Sequence, residues 1–198
     1  MAKIIPHISN ASGSFDQSML TRINEAINKA ESYALPKLGV ENDVDLVVSD
    51  AFVGDIIPET HIGGHTYSSN FVTVTIGGNS KSIKTSDLFL TMCHELCHAV
   101  RWQYNDEWAS ILLDAMFFEG VATAFEIESA NANDMPLDYF AETMSNRSDK
   151  ENEELLGNLK KQLGDRTYDY SKIFFAGDVD LKLPRWSGYS LGYYLVKQ

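Results

Sequence analysis

The sequence predicts an α+β fold, with a small mixed sheet packed on one long helix and a mostly helical second half. Three observations carry this expectation. Two short runs in the first eighty residues, 44–48 and 71–76, have the apolar and β-branched content of strands, and the second alternates Val72, Val74 and Ile76 against Phe71, Thr73 and Thr75. The stretches around them carry apolar residues at three- and four-residue spacing, the period of helices with one buried face. A chain of 198 residues that is 44% hydrophobic and 22% charged suits one domain with a substantial core. Within that domain, 1–198, the α/β part covers about 1–104 and the helical part about 105–198.

The elements follow in order. Residues 14–38 place Phe15, Met19, Ile23, Ala26, Ile27 and Ala30 on one helical face, and Pro36 with Gly39 closes the segment. Residues 44–48 form a short apolar strand. Residues 51–69 are rich in glycine and turn formers and read as loop. The strand at 71–76 ends at Gly77, Gly78, Asn79 and Ser80. Thr85 or Ser86 caps a helix running to about Tyr104, with Asp87 in its first turn. A second long helix at 107–130 carries Trp108, Ile111, Leu112, Ala115, Phe118 and Ala122 at helical spacing. Shorter helices follow at 137–144 and 152–163. Residues 168–183 are irregular, and Pro184 precedes a run of small and aromatic residues at 186–194.

Charge and hydropathy exclude several classes of function. A net charge of −12 argues against nucleic acid or an anionic membrane as partner, because both need clustered Lys and Arg. No apolar run is long enough to span a bilayer. The first seven residues lack the apolar core of a secretion signal, so a cytoplasmic location is expected. The two cysteines, Cys93 and Cys97, lie four apart, where helical Cβ vectors suit a disulfide poorly. Two thiols are also too few for an all-cysteine zinc site, and both are expected as small buried hydrophobes.

The chemistry sits in the same helix. His94 and His98 are four apart, so both imidazoles project from one face about a turn apart and can grip one metal ion. Glu95 stands at the edge of that face, where its carboxylate reaches a metal-activated water without taking a ligand position. His-Glu-x-x-His is thus two ligands and a general base, the pattern of metal-assisted peptide hydrolysis. A third protein ligand is needed. A histidine six residues after His98 is excluded, because Tyr104 stands there and Arg101 occupies the required glycine position. Peptidases that draw this ligand from a second helix place a Glu about twenty residues on, and Glu119 fits, with Asp114 as the rival. Glu126, seven residues further, shares its face and reads either as a supporting carboxylate or as an exposed acid. Arg101 is expected in a structural ion pair.

Residues 94–101, 119–126 and 186–196 together resemble the YjaZ-like family of zinc-dependent proteases, within the gluzincin clan. The resemblance spans most of the chain and implies a zincin-like fold, one Zn2+ per chain bound by His94, His98 and Glu119, Glu95 as general base, and a peptide or protein substrate. The sequence departs from many gluzincins at Thr123, where an Asp four residues after the third ligand orients a histidine. The run 188–194 is similar to a glycine-and-tyrosine loop of oligopeptidases in that clan, whose tyrosines donate to the oxyanion. By that resemblance Tyr193 or Tyr189 is a catalytic donor, against the alternative that the run is packing; Tyr194 is read as packing. The clan also implies that substrate adds as a strand to a sheet edge, for which 71–76 is the candidate. His61 and His65 are expected as exposed loop histidines, or else as lining of the cleft. The functional expectation is a zinc-dependent peptidase; the alternative is a zinc-binding, peptidase-like module with a regulatory or binding role and no turnover.

Overall fold

The protein is described by a computed structural model covering residues 2–50, 56–78, 82–104 and 111–198. Its elements are β1 (Ile4–Ser9), α1 (Gln17–Leu38), β2 (Val44–Asp50), β3 (Ile62–Ser68), β4 (Phe71–Ile76), α2 (Thr85–Tyr104), α3 (Leu112–Ala132), α4 (Tyr139–Asn146), α5 (Asp149–Leu159), a π-helical turn (Ser171–Ala176) and α6 (Ser187–Val196). The mixed α+β class expected from the sequence is present. The chain forms two compact units, one comprising Met1–Asp106 and Phe125–Tyr139, the other Glu107–Ala124 and Phe140–Gln198, so the division falls inside α3.

The first unit is built on a four-stranded sheet in the order β1-β2-β4-β3. β1, β2 and β4 are parallel, and β3 runs antiparallel to β4. The parallel pair β1–β2 needs a crossover, which α1 supplies. β3 and β4 are joined by a tight hairpin over Ser69 and Asn70, and β3 shifts register between Thr66 and Ser68. Alternation sorts the sheet faces: Val44, Leu46, Val48, Val72, Val74 and Ile76 are buried, while Val47, Thr73 and Thr75 on the other face are only half-buried. α1 starts where Asp16 accepts the Met19 N–H at 2.8 Å, and ends where Gly39 takes a left-handed φ of 69°. Pro36 is inside its last turn, not beyond its end. α2 is buried on almost every side, from Leu88 to Val100, as the central helix of this unit.

Three expectations are corrected here. Residues 4–9 form an unanticipated strand, β1. The stretch read as loop at 51–69 contains β3. The strand at 71–76 is flanked by β2 and β3, so it offers no open edge; the outer strands of this sheet are β1 and β3. Of the remaining expectations, residues 51–55 of that loop, Asn79 and Ser80, and residues 107–110 of the second long helix, with Trp108, lie outside the described residues.

In the second unit the run 188–194, likened to a glycine-and-tyrosine loop, lies within a helix, α6, in line with the packing alternative. Its glycines serve close packing. A Cβ on Gly192 would stand 2.0 Å from the Met116 carbonyl oxygen and 2.9 Å from the Gly120 N, so only glycine admits α3 and α6 this close. A Cβ on Gly188 would fall 2.5 Å from Cδ1 of Phe174. Ser190 Oγ donates to Asn152 Oδ1 at 3.0 Å, satisfying two buried polar groups between α6 and α5. α5 is capped reciprocally: the Glu151 N–H reaches Ser148 Oγ, and the Ser148 N–H reaches the Glu151 carboxylate at 2.9 Å.

Candidate metal centre

His94, Glu95 and His98 all lie on α2, with the His94 and His98 ring centroids 5.0 Å apart at 70°. His94 is 8% exposed and Glu95 7%. Polar groups buried this deeply need partners, and each has one within the first unit. His94 Nδ1 lies 3.0 Å from Oε2 of Glu126. Thr66 Oγ1, on β3, stands 2.7 Å from Oε2 of Glu95 and 2.8 Å from the Glu95 carbonyl oxygen, so its single proton is shared between the carboxylate and the turn that carries it. Beside Thr66 the strand comes so close that a Cβ on Gly64 would meet Glu95 Oε1 at 2.5 Å. Glycine at 64 is what lets β3 pass the acid.

Glu126 resolves the choice left open between supporting carboxylate and exposed acid. It is 2% exposed and interacts with His94 and with Asp138, which is itself buried. Burial raises its pKa above the usual carboxylate range, the His94 interaction opposing this and the nearby Glu95 charge adding to it. The partner of His94 therefore stands seven residues after Glu119 and not four. Thr123, at the four-residue position, is fully buried, and its hydroxyl has no hydrogen-bond partner among the described residues.

Glu119 lies on α3, half-buried, and its Oε1 accepts a hydrogen bond from the Tyr170 hydroxyl at 2.7 Å. Among the described residues, His94, His98 and Glu119 are the group whose potential ligand atoms lie within 4.8 Å of one another; Asp114 is not part of it. Tyr170 keeps 36% of its surface exposed, yet desolvation, followed by the Glu119 charge and then Tyr189, pushes its phenol pKa well above the ordinary value. Sequence reasoning missed this residue. It stands in the irregular stretch 168–183, where no periodicity or motif marks it, and the only signal was its aromatic neighbourhood.

The two tyrosines singled out from the sequence lie on α6. Tyr189 is 8% exposed, with its ring against Phe140, Phe174, Phe175 and Trp186. Its hydroxyl interacts with that of Tyr170. Tyr193 is half-buried, with the Lys197 ammonium 5.1 Å from its ring centre. His65 stands on β3 one residue from Gly64 and Thr66, so it points away from Glu95, and its ring packs on Tyr67. His61 holds a φ of 58° and lies against Gly78.

Both cysteines are buried thiols, not joined in a disulfide, and lie outside the ligand group. Burial pushes the Cys93 thiol up to about 12, which keeps it protonated and inert. Their place one residue before each histidine turns them about 100° from the metal-facing side.

No helix among the described residues is long and apolar enough to cross a membrane. Comparison with curated proteins and with solved structures gave no match. The family model described as "Predicted Zn-dependent protease (DUF2268)" matches residues 18–198, from α1 through α6, and the chain belongs to that family.

Proposed function

We propose that the protein is a gluzincin-type zinc peptidase on a zincin-like scaffold, holding one zinc per chain through His94, His98 and Glu119. The observation that carries this reading is the grouping of two imidazoles and one carboxylate within ligand distance, on a chain whose family is described by zinc and proteolysis. The donor set fits the ion: two histidine nitrogens and one carboxylate oxygen are the ligands of catalytic zinc sites, which keep a fourth position for water or substrate. Bound there, zinc supplies Lewis acidity toward a water and a peptide carbonyl.

The remaining steps belong to the chain's own residues. Glu126 accepts the Nδ1 proton of His94, which fixes the ring and assigns Nε2 to the ligand role. Glu95, held at Oε2 by Thr66, takes a proton from the attacking water at Oε1 and passes it to the leaving amine. Of the two tyrosines read from the sequence, Tyr189 has the better support as oxyanion donor, because its hydroxyl adjoins that of Tyr170 on Glu119. The outer strand β3, beside Glu95, takes the substrate-edge role first assigned to 71–76.

The test has two arms. Purified protein binds close to one zinc per chain, and His94→Ala and His98→Ala lose it; full occupancy in both variants refutes the ligand set. A library of short unstructured peptides is cleaved by the wild type and not by Glu95→Gln, which retains its zinc. Equal cleavage by the two proteins refutes Glu95 as base.

A further inference from the structure

Tyr170 belongs to none of the patterns that identify the site, yet its hydroxyl is committed to Glu119 at 2.7 Å. Two features hold the phenol there. Its ring stacks on Phe174 at 4.3 Å and 15°, and Phe174 is fully buried against Gly188. It stands immediately before the π-helical turn Ser171–Ala176, whose entry Asp169 fastens: the Lys172 N–H reaches Asp169 Oδ1 at 3.0 Å, and the Ile173 N–H reaches the Asp169 carbonyl at 3.1 Å. π-turns are rare and occur frequently at functional sites.

A carboxylate ligand on a helix rotates, and it can offer a metal one oxygen or two. Ordering it before the ion arrives removes an entropic cost of binding. A phenol suits this work better than an Arg or a Lys would, because it donates a hydrogen bond without cancelling the negative charge that attracts the cation. We propose that Tyr170 is a positioning residue for the metal, holding Glu119 by Oε1 so that the carboxylate meets the ion through its other oxygen. The inference rests on the reading of Glu119 as third ligand.

The experiment is a zinc titration against a chromogenic chelator on the wild type, Tyr170→Phe, Glu119→Ala and the double variant, with the melting temperature of each zinc-free protein measured alongside. Tyr170→Phe keeps the ring stack and removes only the donor. Zinc affinity falls about 10- to 100-fold in Tyr170→Phe, the scale of losing a residue that orients a ligand, while the zinc-free melting temperature stays near that of the wild type. In the Glu119→Ala background the same change costs no further affinity, which a merely structural tyrosine does not explain. Wild-type affinity in Tyr170→Phe, or an equal loss in both backgrounds, overturns the inference while leaving Glu119 a ligand. Wild-type affinity in Glu119→Ala overturns the ligand assignment and the role of Tyr170 together.

Discussion

Replacing Gly64 by Ala tests how tightly β3 is pressed against the acid that is assigned the proton transfers. The new Cβ would lie 2.5 Å from Glu95 Oε1, 2.6 Å from Cγ and 2.8 Å from Cδ. Carbon contacts are comfortable at about 3.5–4.0 Å, so something must yield by about 1 Å. The carboxylate has little room to swing aside, because Thr66 holds its other oxygen and the side chain is buried. Either that hydrogen bond breaks or the outer strand moves off the helix, and overpacking of this kind costs about 1–3 kcal/mol. For a chain of this length that corresponds to a fall of roughly 2–12 °C in melting temperature.

Differential scanning calorimetry on the zinc-loaded protein reads the loss. Repeating it in a Glu95→Ala background reads the cause, since removing the acid removes the clash, and the Gly64→Ala penalty there shrinks toward zero. Activity offers a second measure: a displacement of about 1 Å in a catalytic group costs on the order of 100-fold in rate, with zinc content unchanged. An unchanged melting temperature in Gly64→Ala, or the same penalty with and without Glu95, refutes the reasoning.

Glu126→Gln keeps the shape but weakens the hold on His94, so zinc affinity drops about 10- to 100-fold in chelator competition. Cys93→Ala and Cys97→Ala leave zinc content unchanged and cost about 1–2 kcal/mol each in urea unfolding; loss of metal in either would reopen the ligand set. The Cys93 pKa is raised from 9.0 to about 12 in the folded state, so its stabilising share is present below pH 9 and is lost as pH climbs toward 12; iodoacetamide labels it at pH 8 only after unfolding. Tyr189→Phe lowers kcat by roughly 10²- to 10³-fold with KM little changed, and Tyr193→Phe does not; the reverse result transfers the oxyanion role.

The elements legible in the sequence are those whose own side chains make the periodic signal. α1 shows its stripe from Met19 to Ala30, and β2 and β4 show their alternation, because each buries one face against a core it helps to form. β1 and β3 lack that signal for different reasons. β1 buries only Ile4 and carries Pro6, and its place comes from parallel pairing with β2, a long-range contact that no local window contains. β3 reads Ile-Gly-Gly-His-Thr-Tyr-Ser, a poor strand by propensity. Its weakness follows from its task, since Gly64 is small to clear Glu95 and Thr66 is polar to hold it. Local propensity gave way where β3 packs against Glu95.

The grouping of His94, His98 and Glu119 was legible for the opposite reason: spacing on a helix is geometry. Four residues bring His94 and His98 to one face, and the seven between Glu119 and Glu126 bring both carboxylates to one face of α3. What spacing cannot supply is depth. Whether Glu126 faced water or His94 depended on burial, and burial makes it the partner of His94, while among the described residues the Thr123 hydroxyl has none. The glycines of α6 misled because glycine signals both freedom and closeness. Gly188 and Gly192 suggested a loop, and they are the flat surfaces that let Phe174 and the α3 backbone come near. The same packing helps to hold Tyr170 on Glu119: Gly188 admits Phe174, Phe174 carries the Tyr170 ring, and the phenol reaches the carboxylate. A run likened to a catalytic loop is thus a packed helix whose glycines bring Phe174 beneath the Tyr170 ring.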